Sequence, residues 1–151
     1  MISRTHNTQR RRFDNGFTLV ELLIVVVILG VLLAIAIPLY AKYRQGASDK
    51  SAASDLRAAV SALEKCYSDN GIYPSALAST GGAPTGCGGI TVNVSAATTL
   101  AYYPKSATDL TAYILSATNT KGSNKIYCYH SSTAGSITTT STAVTAYRAA
   151  C

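Results

Sequence analysis

The run LLIVVVILGVLLAIAIPLY, residues 22–40, contains no charged side chain. As a helix it would extend about 28 Å, close to the roughly 30 Å hydrocarbon core of a bilayer. A stretch this apolar does not belong to the surface of a soluble domain, so it divides the 151 residues into one anchor and one small head. Charge sets the orientation. Arg4, Arg10, Arg11 and Arg12 against Asp14 supply half of the net charge of +6, all of it before the apolar run. The positive-inside rule then places the N-terminus in the cytoplasm and the remaining chain on the periplasmic or outer side.

The charges after the apolar run form no basic stripe, so nucleic-acid binding is not indicated, and DNA uptake has no support of its own. Cys66, Cys87, Cys128 and Cys151 all follow the apolar run. An even number of cysteines on the extracytoplasmic side suits disulfides in an oxidising compartment. No CxxC occurs, which argues against a structural zinc site.

A cleaved secretory signal or a plain single-span anchor would have a similar composition, but two details oppose them. The apolar run exceeds the roughly 7–15 residues of an ordinary signal core, and the small residue that stands out, Gly16, precedes the run instead of following it. The second detail is Glu21, a lone carboxylate within FTLVELLIVVVILG. A charge near mid-bilayer costs about 2.5–3.5 kcal/mol on insertion scales, and an acid retained there usually has a specific partner. Proximity to the positive end of the helix offsets only about 0.3–1 kcal/mol.

These residues, from Gly16 through FTLVELLIVVVILGVLLAIAIP to Pro38, resemble the leader junction and N-terminal helix of type IV pilins and the related pseudopilins. The resemblance implies a leader, residues 1–16, removed by a prepilin peptidase that cuts between Gly16 and Phe17, with N-methylation of Phe17. It implies a transmembrane and filament-core helix over residues 17–40 and a periplasmic or extracellular head over residues 41–151. Glu21 becomes the residue that neutralises the N-terminal amine of a neighbouring subunit. Each charge is costly alone in an apolar bundle, so such a pair specifies register more than it adds stability. Gly30 and Pro38 match positions between which the helix can lose hydrogen bonds on entering the fibre; proline lacks the amide donor.

Beyond Pro38 the sequence turns polar, yet Leu56, Val60, Leu63 and Tyr67 share one helical face. Asp69-Asn70-Gly71 followed by Tyr73-Pro74 supplies the stop. The helix is therefore expected over residues 17–68, with Lys50, Asp55, Arg57, Glu64 and Lys65 on its charged remainder. Strands are expected at 100–103, 111–117, 125–131 and 143–149. They would carry Tyr102, Tyr103, Tyr113, Tyr127, Tyr129 and Tyr147, since aromatics favour sheet. The expected fold is α+β: a long N-terminal helix whose C-terminal half packs on a small antiparallel β-sheet. Residues 74–99, with Gly81-Gly82 and Gly86-Cys87-Gly88-Gly89, read as an irregular surface loop. Asn93-Val94-Ser95 and the Thr/Ser run at 138–142 read as loop composition.

Four cysteines allow three pairings, which spacing cannot decide. Cys66–Cys87 with Cys128–Cys151 is favoured: the first would staple the helix end to the following loop, and the second resembles the C-terminal disulfide loop of many pilins. His130 is expected to have no chemical role. No Walker loop, HExxH or acid cluster occurs. The reading is a non-enzymatic subunit with no cofactor and no metal. Its partners are further pilin subunits, the prepilin peptidase, a pilus assembly platform and the inner membrane, with an extracellular pilus as destination. The fibre would serve adhesion, twitching motility or DNA uptake. The alternatives are a pseudopilin of a type II secretion system and a membrane-anchored binding domain that does not polymerise.

Overall fold

A computed structural model of the protein describes residues 16–133, 137–140 and 151. The chain divides into two compact units, Met1–Pro38 and Leu39–Cys151. Its elements are one helix, α1 (Leu19–Asn70), followed by strands β1 (Thr98–Pro104), β2 (Tyr113–Asn119), β3 (Ile126–His130) and β4 (Ile137–Thr140). This is the expected α+β class.

Helix α1 begins two residues later than expected and ends two residues later. The stop is the glycine: Gly71 adopts φ 74° and its amide donates to the Tyr67 carbonyl at 2.7 Å, which satisfies one of the last helical acceptors. The Asn70 side-chain amide, through Nδ2, also donates to the Cys66 carbonyl.

Within the second unit, the buried face of α1 is formed by Ala52, Leu56, Ala59, Leu63 and Cys66. The expected stripe is correct at Leu56 and Leu63 and displaced at its other members. Val60 is only partly buried and Tyr67 is 40% exposed. Ala52 and Ala59 are fully buried on that face, which hydrophobic spacing among large residues does not reveal. Each fully buried leucine contributes about 1.5–3 kcal/mol.

The sheet is an antiparallel meander in the order β1-β2-β3-β4. Strand alternation sends Leu100, Leu115 and Ala117 toward the helix, where they form one core with Leu56 and Leu63. Tyr103, Ile114 and His130 are paired across three strands and so share the opposite face, as do Ala101, Ser116 and Cys128. Strand β4 lies where sequence composition indicated a loop. Its threonines are β-branched and suit a pleated surface, but a Thr/Ser run lacks the apolar alternation that marks a strand. The strand expected at 143–149, with Tyr147, lies outside the described residues.

The segment between helix and sheet also departs from expectation. It is irregular, but Cys87, Ile90 and Val92 are buried. Gly82 and Val92 exchange two backbone hydrogen bonds, at 2.7 and 2.9 Å. Gly81 beside them has φ 82°, and a Cβ there would strike the Val92 carbonyl oxygen. Tyr102 ties the loop start to the sheet by donating to the Pro74 carbonyl at 2.7 Å.

Two aspartates on α1 anchor the loops. Asp49 accepts from the Ser123 amide at 2.9 Å and the Ser123 hydroxyl at 2.6 Å, and Lys125 stands 3.8 Å away. Asp55 accepts from the Ser95 amide and hydroxyl, both at 2.9 Å. Asp55 therefore does not belong to a solvated charged face; both aspartates are buried and hydrogen-bonded.

Candidate processing and assembly segment

Gly16, Phe17 and Thr18 precede the helix and are exposed. The Glu21 amide donates to Thr18 Oγ1 at 3.2 Å, and the Leu22 amide donates to the Thr18 carbonyl at 3.3 Å. Thr18 is thus the N-cap, which satisfies helix donors that have no intrahelical partner. Sequence reasoning missed this role. The signal was present, since Thr followed three residues later by Glu before an apolar run is the capping-box pattern.

Glu21 sits in the first turn of α1. Its side chain is exposed, and the carboxylate has no hydrogen-bond or ion-pair partner among the described residues. The large apolar residues from Phe17 to Tyr43 are each 47–81% exposed on every side of the helix. Gly30 lies among them with open space where a Cβ would be, and Pro38 is accommodated inside the helix. Helix α1 is long and apolar enough to cross a membrane, and its most apolar window is not buried by the chain itself. In water such a surface is unfavourable by about 25 cal/mol per Å², so lipid or other helices must cover it.

In the second unit, polar groups are engaged in holding structure together. Glu64 accepts from the Tyr73 and Tyr113 hydroxyls at 2.9 and 3.1 Å. Tyr73 packs against Tyr67 and Tyr113, and Tyr113 also contacts Tyr102 and Tyr129. Burial raises the Tyr73, Tyr113 and Tyr129 phenols above their ordinary range, and the negative charge of Glu64 adds to the effect. Burial pushes Tyr102 up to about 12. At neutral pH these phenols remain protonated donors.

Disulfides join Cys66 to Cys87 and Cys128 to Cys151, with Cα separations of 5.5 and 5.6 Å. Each removes conformations from the unfolded chain, by about 2–4 kcal/mol in the loop-entropy account. His130 Nε2 lies 2.9 Å from the Cys151 backbone oxygen, beside the second bridge. Among the described residues no group of His, Cys, Asp or Glu is arranged to hold a metal ion. Gly16, Phe17, Glu21, Gly30 and Pro38 all lie in the first unit, whereas both bridges lie in the second.

Residues 11–37 match the family described as the prokaryotic N-terminal methylation motif. The chain is 41% identical over 66 residues to the type II secretion system core protein G of Pseudomonas aeruginosa, covering 44% of this chain and 46% of that one. It is 38% identical over 75 residues to the fimbrial protein EcpC of Eikenella corrodens, covering 50% and 49%. It is 38% identical over 71 residues to the type IV major pilin protein PilA of Myxococcus xanthus, covering 47% and 32%. Over the matched residues the chain is type IV pilin-like. The chain spans about half or less of the length of these curated relatives, and they carry both pilin and secretion-system names.

Proposed function

We propose that the chain is a structural subunit that polymerises through its apolar N-terminal helix into a type IV pilus, after cleavage between Gly16 and Phe17 and N-methylation of Phe17. The observation that carries this reading is an apolar helix bare on every side, with Glu21 near its start and no partner for that carboxylate among the described residues. Staggered copies would cover the helix with one another, and the Phe17 amine of one would meet Glu21 of the next. Before assembly the same helix resides in the inner membrane; afterwards the head is extracellular. No catalytic step is assigned to any residue, and no cofactor is required.

A pseudopilin of a type II secretion system is the second reading, favoured by the 41% identity to a secretion-system core protein. The bridge between Cys128 and Cys151 weighs toward a pilin, because it closes the C-terminal part of the head as the disulfide loop of many pilins does.

Glu21→Ala separates a filament subunit from an anchored domain that never polymerises. The variant is expected to insert in the membrane at wild-type level and to yield few filaments on shearing. Normal filament yield from it would remove Glu21 from register setting.

A further inference from the structure

The apolar run of α1 does not end in an ordinary polar helix. Tyr40, Lys42, Tyr43 and Arg44 fall within the five residues 40–44, and all four are exposed. Tyr40, Tyr43 and Arg44 are spaced three and four residues apart and share a helix face, while Lys42 projects from the other side. The Arg44 guanidinium lies 5.9 Å from the centre of the Tyr40 ring, in cation–π contact. Neither Lys42 nor Arg44 has a carboxylate partner among the described residues. The first acid that follows, Asp49, is occupied by Ser123 and Lys125.

Resting on membrane residence of the apolar helix, we infer that Tyr40, Lys42, Tyr43 and Arg44 form a collar that binds the phosphates of anionic phospholipids at the extracytoplasmic face. The dimensions agree. Residues 40–44 rise about 6 Å along a helix, and the polar headgroup layer on each side of a bilayer is about 5–8 Å deep. Amphipathic aromatic rings prefer that depth, where the tyrosine ring meets acyl chain and its hydroxyl meets water. Two cations without a carboxylate partner among the described residues complement phosphate there, and guanidinium suits it by bidentate hydrogen bonding. The collar lies on the side where the positive-inside rule expects few basic residues, so its two cations call for a local anionic partner. It fixes the depth of the helix and retains the subunit until it is extracted into the fibre.

The test uses the full chain in nanodiscs of phosphatidylcholine with and without phosphatidylglycerol. The sequence has no tryptophan, so Tyr43→Trp introduces a single indole while preserving the belt. Its emission is expected to be quenched more by lipids brominated near the headgroup than by lipids brominated near the chain end. Native mass spectrometry should find phosphatidylglycerol retained by the wild type. Retention should fall about fivefold per basic residue removed and about 25-fold in Lys42→Gln/Arg44→Gln. Equal retention by wild type and double variant, with shallow quenching intact, overturns lipid recognition and leaves membrane residence standing. Absence of quenching at any depth overturns both. Loss of pairing between copies in the double variant, with lipid retention unchanged, assigns the collar to acidic groups of a second copy and overturns the lipid assignment.

Discussion

Tyr113 in β2 donates its hydroxyl to Glu64 of α1 across 3.1 Å, and the Tyr73 hydroxyl occupies the other carboxylate oxygen at 2.9 Å. One carboxylate thereby joins the helix, the start of the loop and the second strand. Glu64→Ala strands the phenol of Tyr113, a residue only 2% exposed. An unsatisfied buried hydroxyl costs about 1–3 kcal/mol. Tyr113→Phe leaves a partly exposed carboxylate that water can still reach, and is expected to cost about 1 kcal/mol. Denaturant unfolding of the two variants in detergent should rank Glu64→Ala as the more damaging; the reverse order would mean that Glu64 is not the shared acceptor.

The tyrosine cluster also sets an alkaline limit. Tyr102 titrates near 12 and the Tyr73, Tyr113 and Tyr129 phenols are raised as well, all above the unfolded value of about 10. A raised folded pKa means that the neutral phenol favours the fold. That contribution is complete below about pH 10 and is lost as the pH climbs toward 12. Tyrosinate absorbance and circular dichroism followed together should register ionisation of these residues and loss of the sheet in one step. Full ionisation of every tyrosine with the sheet intact would contradict their burial.

The anchoring of the β2–β3 turn is testable by a cycle. A Cβ added at Gly122 would collide with the Asp49 carboxylate. Gly122→Ala is expected to cost about 1–3 kcal/mol, as overpacking does. Asp49→Ala removes two hydrogen bonds and the collision together, so the double variant should be less unstable than the two single effects added. Additivity in equilibrium unfolding would place the turn elsewhere.

How much of this was legible in the sequence differed from element to element. The helix was, because the apolar run, the later leucines and the stop at Asp69-Asn70-Gly71 all agree, with Pro38 tolerated inside it. Strands β1 to β3 were located by their aromatic and β-branched residues, with ends shifted by one or two positions. Strand β4 was not, since a threonine run looks equally like loop. The buried aspartates were invisible: Asp49 meets Ser123 and Asp55 meets Ser95 across 74 and 40 residues. Such a partner turns a nominally solvated charge into an internal anchor, and only the tertiary fold supplies it. In the N-terminal segment, Glu21 stood out as an isolated charge, whereas Thr18 required the capping pattern to be noticed.

Each disulfide should be separable in its effect. The bridges close sequence separations of 21 and 23 residues. Loop entropy alone predicts a loss of about 3 kcal/mol on removing either one. Cys66→Ala/Cys87→Ala and Cys128→Ala/Cys151→Ala should therefore lower the unfolding midpoint by similar amounts. A variant pair with wild-type stability would mean that its bridge constrains little.

The central claim, that the chain is a processed subunit of a filament, is tested most directly by the intact mass and N-terminal peptide of material sheared from the cell surface, analysed without reduction. The predicted result is a chain beginning at N-methyl-Phe17 with both disulfides present. An uncleaved chain retained in the membrane fraction, or cleavage beyond Pro38, would contradict it.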